Sequence, residues 1–293
     1  MRIAINGNRH QEGHFQEIDS LITTLVRRGD DVVLAEPFFN YLAENLGSRF
    51  TLGLDLCPLT RQPRADLAIS IGGDGAFLKT ARWIGDSEIP VAGINTGHLG
   101  YLSAFTFEDS DEIYYTLLLG HFRTENRALI AADVTLDDGT VRRYTALNEV
   151  AFTRGDAGAM LNVSATINGR SSLNFLGDGL IVSTPTGSTA YNLSVGGPIL
   201  DPELEGWVIS PIAAHSLSMR PLVVKDSSTL RISVNTRGAS YRMSTDGKSV
   251  TLPVGAAIRI TRAPYVVKLV LQPGHTFTDT LRDKLGLGNP PGR

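Results

Sequence analysis

A Gly-Gly-Asp-Gly segment at residues 72–75 has the residue types that bind and transfer phosphate. It follows the apolar run Leu67–Ile71 and precedes a helical pattern, so we expect it where a strand meets a helix. Paired glycines let backbone amides approach a phosphate, and the N-terminus of a helix favours the same negative charge. Asp74 can then act as a base or as a magnesium partner. The other interpretation is a tight turn in which Asp74 caps the helix.

Two further glycine-rich segments follow predicted strands. In residues 93–102, Gly97 and Gly100 leave room for close backbone approach, and Tyr101 can lie against a purine or in the core. In residues 177–191, three hydroxyl residues surround Gly187. They can bind phosphate or ribose oxygens, or they can satisfy their own backbone in caps and turns. Such a density of Gly, Ser and Thr in a strand-rich region favours a binding role.

The elements that must position these segments change in type along the chain. Up to about residue 120, strands are predicted at residues 3–5, 32–35, 67–71 and 91–94, and helices at residues 15–28, 38–46, 77–84 and 111–119. Alternating strands and helices are typical of a parallel sheet covered on both faces. We therefore predict a Rossmann-like α/β nucleotide-binding domain over residues 1–121.

Strand patterns dominate the second half of the sequence. The pairs Asn168-Gly169 and Asp246-Gly247 indicate hairpins, and late strands are predicted at residues 258–261 and 266–271. We predict an all-β, sandwich-like substrate-binding domain over residues 122–272. Residues 278–285 are predicted to form a terminal helix, followed by a frayed tail. Residues 273–293 are expected to return to the first domain.

Composition excludes several classes of function. The 293 residues are 42% hydrophobic and carry a formal net charge of −3 without a basic stripe, so we expect no nucleic-acid partner. No apolar run approaches the roughly 20 residues that span a bilayer, and no secretory signal precedes the first strand, so we expect no membrane partner and a cytoplasmic location. A single cysteine, Cys57, excludes an intrachain disulfide. The six histidines show no metal-ligand spacing, and we predict no dedicated metal site.

Taken together, these segments resemble those of the NAD kinase family. The family shows Gly-Gly-Asp-Gly (residues 72–75), Asn-x-Gly-x-x-Gly (95–100), Asn-Glu (148–149), and Asp-Gly followed by Ser-Thr-Pro-Thr-Gly-Ser-Thr-Ala-Tyr (178–191), all in this order here. The resemblance implies ATP-dependent phosphorylation of NAD at the 2′-hydroxyl of its adenosine ribose. It also implies an α/β domain, an all-β domain and a returning terminal helix. Mg²⁺ carried by the ATP phosphates and a homodimer or homotetramer are further implications.

Roles for individual residues follow from the same resemblance. Asp74 would be the base that accepts the 2′-hydroxyl proton, and Gly72, Gly73 and Gly75 would border the phosphates of ATP. The candidate NAD-binding residues are Asp74, Gly75, Lys79, Tyr101, Asn148, Glu149, Asp178, Thr186, Thr189, Ala190, Tyr191, Asn192, Leu193, Ser194, Ala213 and Lys248.

The sequence departs from the family pattern at three positions. Ala76 stands where a Thr often follows the glycine loop, Tyr101 replaces a common Phe, and Lys248 occupies a position where many relatives carry Gln. Two other functions remain open from the residues alone. One is a lipid or sugar kinase that shares the Gly-Gly-Asp-Gly loop, and the other is a non-catalytic nucleotide-binding sensor.

Overall fold

A computed structural model of the protein describes residues 1–47, 54–97, 100–109, 113–120, 122–155, 160–216 and 218–288. The chain forms two compact units. Unit 1 comprises Met1–Asn126 and Val267–Arg293, and unit 2 comprises Arg127–Val266. Unit 1 has mixed α/β structure and unit 2 is built almost wholly of strands, which confirms the predicted fold class. No helix in the ranges given above is long and apolar enough to cross a membrane.

Unit 1 is built on a parallel sheet. Its first strands are β1 Arg2–Gly7, β2 Asp31–Ala35, β3 Leu54–Cys57, β4 Leu67–Ile71, β5 Val91–Asn95 and β6 Phe105–Thr106. They lie in the order β5-β4-β1-β2-β3, with β6 paired to the end of β5. All five residues of β4 are buried, as its apolar sequence predicts. Strand β3 is not predicted from the sequence, because this edge strand exposes Asp55 and Leu56.

Three helices of unit 1 connect these strands: α1 Phe15–Arg27, α2 Glu36–Leu46 and α3 Asp74–Ile84. In α1 the buried residues Ile18, Leu21, Ile22 and Leu25 form one apolar stripe. Helix α3 begins at Asp74, three residues before the predicted start at residue 77, so Asp74 belongs to its first turn. The α-helix predicted over residues 111–119 is wrong in type and in bounds. The structure has a π-helical segment at Ile113–Leu118, and residues 110–112 lie outside the described ranges.

Unit 2 consists of two antiparallel sheets around one core. Its strands, of which β7 begins and β18 ends in unit 1, are β7 Arg123–Thr135, β8 Val141–Ala146, β9 Glu149–Arg154, β10 Leu161–Ile167, β11 Ser171–Gly177, β12 Gly179–Ser183, β13 Gly206–Ile212, β14 Leu222–Lys225, β15 Leu230–Asn235, β16 Ser240–Thr245, β17 Lys248–Pro253 and β18 Ala257–Leu271. One sheet has the order β14-β13-β12-β9-β16-β17. The other contains β11-β10-β15-β18, with β7 paired to β18 and β8. Fully buried Phe152 and Trp207 from the first sheet share a core with Val163 and Ile232 from the second.

The predicted hairpin turns are confirmed. Asn168 and Gly169 both have positive φ (52° and 68°) between β10 and β11. Asp246 and Gly247 also have positive φ (46° and 77°) between β16 and β17. A two-residue hairpin loop of this kind requires positive φ at both positions. A short helix, α4 Tyr191–Ser194, follows β12 after a 3₁₀ turn at Thr186–Thr189.

The C-terminal segment belongs to unit 1. Residues 258–261 and 266–271, predicted as two strands, form the single strand β18, whose Leu269 pairs in parallel with Val91 of β5. The last helix is α5 Phe277–Leu285. It begins with a capping box, in which the Thr276 hydroxyl accepts the Asp279 N–H and the Asp279 carboxylate accepts the Thr276 N–H. The tail at residues 289–293, predicted to fray, lies outside the described residues.

Candidate active site

The glycine loop of unit 1 joins the buried strand β4 to α3. Gly72 has φ +129°, and a Cβ on it would come within 2.9 Å of the Ala76 Cβ, so only glycine suits this position. The Gly73 carbonyl accepts the N–H groups of Ala76 and Phe77 at 2.8 and 3.2 Å and so closes the first turn of α3. Amides of a first helical turn have no partner within the helix. The loop therefore presents backbone N–H groups to an anion at the carboxyl end of β4.

The Asp74 carboxylate is held on both oxygens by the segment after β5. Oδ2 accepts the Tyr101 N–H at 2.9 Å, and Oδ1 accepts the Leu102 N–H at 3.0 Å. Gly100 lies so close that a Cβ on it would collide with Oδ1 of Asp74. Each carboxylate oxygen has a second lone pair. The partly exposed Asp74 can thus accept a proton while its orientation stays fixed.

Tyr101 lies between this carboxylate and the C-terminal helix. The Nζ of Lys284 in α5 is 4.5 Å from the centroid of the Tyr101 ring, within the range of a cation–π contact. The Tyr101 hydroxyl is buried and has no hydrogen-bond partner among the described residues. Burial, and secondarily the charge of Asp74, raise the pKa of Tyr101 above its ordinary value. Lys79 is exposed on α3, and His98 lies outside the described residues.

In unit 2, the Asn148-Glu149 turn is organised by Asp246. The Asp246 carboxylate accepts the N–H groups of Leu147 and Asn148, both at 2.8 Å, and of Glu149 at 3.3 Å. From the sequence, Asp246 is predicted only as a hairpin residue. Its Asp-Gly turn was visible in the sequence, but nothing local indicated a partner almost 100 residues away.

Glu149 is the most perturbed acid of this site. Its side chain is only 8% exposed, and its Oε2 has no hydrogen-bond partner among the described residues. Burial first, and the neighbouring Asp246 second, raise the pKa of Glu149 to about 7, although the Tyr191 N–H opposes this effect. At neutral pH Glu149 can therefore carry a proton and donate a hydrogen bond.

The hydroxyl-rich segment after β12 packs tightly on this turn. A Cβ on Gly187 would collide with the Asn148 carbonyl oxygen. The Thr184 hydroxyl donates to the Leu147 carbonyl at 2.5 Å and accepts the Gly187 N–H at 3.0 Å. Thr189 and Ala190, which follow in the same segment, are half-buried, and Tyr191 is 39% exposed.

Two residues of the hydroxyl-rich segment, Asn192 and Thr186, use their side chains in hydrogen bonds to the surrounding protein. Asn192 is fully buried, its amide donates to the Ser188 and Pro198 carbonyls at 3.0 Å, and its Oδ1 accepts the Ser210 hydroxyl at 2.6 Å. Buried Thr186 accepts a hydrogen bond from Arg127 at 3.4 Å. Leu193 is half-buried and Ser194 is exposed. Both N–H groups of the Asn192 amide already have partners, and a ligand contact from Asn192 stays a prediction.

The candidate residues of unit 2 that remain are Asp178, Ala213 and Lys248. Asp178 donates its backbone N–H to the Ile212 carbonyl at 3.0 Å, and its carboxylate lies 3.3 Å from the Arg154 guanidinium. The next residue after Ile212 is the exposed Ala213, whose φ of +44° is rare for a residue with a Cβ. Lys248 is exposed at the start of β17, directly after the hairpin of Asp246. No group of three or more His, Cys, Asp or Glu within the described ranges could hold a metal ion.

Comparison with known proteins bears on this arrangement. Residues 54–122 match the family model of the ATP-NAD kinase N-terminal domain, and residues 147–272 match that of the ATP-NAD kinase C-terminal domain. An NAD kinase of Porphyromonas gingivalis is 39% identical over 289 residues, covering 98% of each chain. The chain belongs to the NAD kinase family.

Solved structures of NAD kinase family members have the same fold. A yeast NADH kinase complexed with NADH is similar with a TM-score of 0.89 at 23% identity, covering 99% of this chain and 88% of that one. An NAD kinase from Archaeoglobus fulgidus in complex with ATP has a TM-score of 0.69 at 23% identity, covering 98% of this chain and 97% of that one. The family resemblance on which the sequence analysis relied is confirmed, and a lipid or sugar kinase is not favoured.

Proposed function

We propose that the protein transfers the γ-phosphoryl group of ATP to the 2′-hydroxyl of the adenosine ribose of NAD, giving NADP and ADP. The observation that carries the proposal is the Asp74 carboxylate, held by the Tyr101 and Leu102 amides at the N-terminus of a helix that follows a glycine loop. Membership of the NAD kinase family supports the choice of substrates.

In the proposed step, Asp74 accepts the 2′-hydroxyl proton as the 2′-oxygen bonds to the γ-phosphorus. The bond from that phosphorus to the bridging oxygen breaks, and ADP leaves. Phosphoryl transfer demands mainly positioning and charge neutralisation, which suits a loop of backbone amides. Gly72, Gly73 and Gly75 would border the ATP phosphates, and Mg²⁺ enters as part of the ATP substrate, bound chiefly by its phosphate oxygens and water.

The residues of unit 2 are proposed to bind NAD. Asn148 would hold the adenosine ribose, and Glu149 lies beside it in the same turn. Thr189, Ala190 and Tyr191 would line the adenosine site, with Tyr101 of unit 1 bordering the adenine. Asp178 would reach the nicotinamide side, and Thr186 and Ala213 fall at other contact positions of the family. Exposed Lys79 would neutralise a phosphate, and exposed Lys248 would alter the contact with substrate or product phosphates. A cytoplasmic location and a homodimer or homotetramer also stay predictions.

The experiment that tests this function measures ADP release under saturating Mg-ATP with NAD, NADH and an NAD analogue that lacks the 2′-hydroxyl on the adenosine ribose. We expect turnover with NAD and none with the deoxy analogue. ADP release with diacylglycerol, a sphingoid base or a sugar phosphate, and none with NAD, would instead identify a lipid or sugar kinase. Nucleotide binding without any turnover would identify a sensor.

A further inference from the structure

The connection between β3 and β4 leaves part of the unit 1 sheet without a helix. Parallel neighbours are usually joined by a crossover of a dozen or more residues, most often helical. Here residues 58–66 make the crossover in irregular structure. Helix α3 packs on β4, β1 and β5, and residues 61–64 of the crossover line the same pocket as Val33 of β2 and Asp55 of β3. The Trp83 indole donates to the Pro58 carbonyl at 3.2 Å, which ties the segment to α3.

A pocket lies beneath this segment. The register pairs Ala4 with Val33 and Val33 with Asp55. Because side chains alternate along a strand, Arg2, Val33, Asp55 and Cys57 face the same side. These four side chains line a pocket of about 460 Å³ with Arg61 and Arg64 from the crossover segment. An adjoining pocket of about 530 Å³ shares Arg2 and Arg64 and extends to Asp66. Volumes of roughly 300–1,000 Å³ are typical of small-molecule sites.

The lining of the pocket has an excess of cationic groups. Arg2 Nη2 pairs with Asp55 Oδ2 at 2.6 Å, and the Arg2 backbone N–H donates to Asp66 Oδ2 at 2.7 Å. The side chains of Arg61 and Arg64 make no hydrogen bond or ion pair within the described part of the chain. The Nε of Arg2 is buried without an acceptor there. In the first pocket, the Arg2–Asp55 pair leaves the positive charges of Arg61 and Arg64 without a compensating acid in the lining.

We propose that this pocket binds a small phosphorylated molecule, at a site separate from the glycine loop. Guanidinium groups match phosphate oxygens in bidentate geometry, and three converge here. Val33 and Cys57 provide an apolar wall for the body of the ligand. Arg2 and Asp66 lie at the amino ends of β1 and β4, whereas Asp74 follows the carboxyl end of β4. The Arg2 side of the pocket therefore lies at the opposite end of β4 from the proposed chemistry, whereas its Cys57 side lies where β3 ends.

The lone cysteine provides a test that is local to the pocket. The rate of Cys57 alkylation by iodoacetamide is followed by mass spectrometry with and without 10 mM inorganic pyrophosphate as the probe. We expect pyrophosphate to slow alkylation at least threefold in the wild type and in Asp74→Asn, whose change lies in the glycine loop. The protection should disappear in the double variant Arg61→Ser/Arg64→Ser. It should persist in Arg142→Ser/Arg237→Ser, which removes two exposed arginines of unit 2.

Equal alkylation rates with and without pyrophosphate in the wild type would overturn the proposal, as would protection that survives in Arg61→Ser/Arg64→Ser. If Cys57 reacts too slowly in every variant, titration calorimetry with pyrophosphate compares the same proteins. Binding at least tenfold weaker in Arg61→Ser/Arg64→Ser than in Arg142→Ser/Arg237→Ser supports the site. Equal binding by the two double variants rejects it.

Discussion

The backbone N–H of Tyr101 donates to the carboxylate of Asp74 at 2.9 Å. The two residues come from different segments of unit 1, since Asp74 begins α3 and Tyr101 follows the loop after β5. With the Leu102 N–H on the other oxygen, the carboxylate has a fixed orientation without a cationic partner among the described residues. This geometry makes the segment around Tyr101 part of the proposed catalytic machinery, and it suggests where substitution disturbs catalysis most selectively.

Gly100→Ala is expected to lower kcat by about 10- to 100-fold, because the new methyl group displaces the Asp74 carboxylate and misplacement of a reacting group by about 1 Å can cost about 10²-fold. The matched control is Gly97→Ala, whose Cβ would meet only Asn95 Oδ1 at 3.9 Å. Steady-state kinetics on NAD compares the two. Equal kcat values in both variants would show that the space at Gly100 is not needed to position the Asp74 carboxylate.

Lys284→Met should raise the KM for NAD about two- to fivefold, because Tyr101 loses a cation–π contact worth about 0.5–1 kcal/mol. Lys284→Arg keeps the cation and should restore the wild-type KM. Lys225→Met removes an exposed lysine of unit 2 and serves as control. If the Met and Arg variants behave alike, the contact with the Tyr101 ring has no part in substrate binding.

Glu149→Gln should make the free energy of unfolding less dependent on pH. In the folded protein the pKa of Glu149 is about 7, above its ordinary value of 4.5. Between these values the folded state keeps a proton that the unfolded chain has lost, so wild-type stability falls as pH rises through this window. The full difference corresponds to about 3 kcal/mol.

Chemical denaturation from pH 5 to pH 8 measures this effect. The stability of Glu149→Gln relative to the wild type should increase steadily across the window, whereas exposed Glu203→Gln should follow the wild type throughout. Parallel stability curves for Glu149→Gln and the wild type would mean that Glu149 is charged in the folded protein at neutral pH.

Gly187→Ala should destabilise the protein by about 1–3 kcal/mol, the usual cost of an overpacked site, because its methyl group would overlap the Asn148 carbonyl. Gly13→Ala, where the structure has open space and no positive φ, should change stability far less. Thermal unfolding of both variants, together with the KM for NAD, tests the tight packing of the hydroxyl-rich segment on the Asn148-Glu149 turn. Equal melting temperatures would contradict it.

The parts of the fold and site that the sequence predicts are those with local signals. The glycine loop, the buried strand before it and the Asn168-Gly169 and Asp246-Gly247 turns depend on neighbouring residues, and the structure confirms them. Edge strand β3 was missed because it has only four residues and its two consecutive exposed residues, Asp55 and Leu56, do not follow the alternation of a half-buried strand. The bonds from Asp246 to residues 147–149 and the burial of Glu149 arise from tertiary packing, which a single sequence does not encode locally.

The proposed role of Asp74 is tested most directly by the kcat of Asp74→Asn with NAD and saturating Mg-ATP, measured beside Asp201→Asn, an exposed acid of unit 2. Asn keeps the size of the side chain and one acceptor oxygen but cannot take the 2′-hydroxyl proton. We predict a kcat about 10²- to 10⁴-fold below the wild type, the usual worth of a positioned base, with the Kd for NAD nearly unchanged. A kcat equal to that of Asp201→Asn would contradict the assignment of Asp74 as the base.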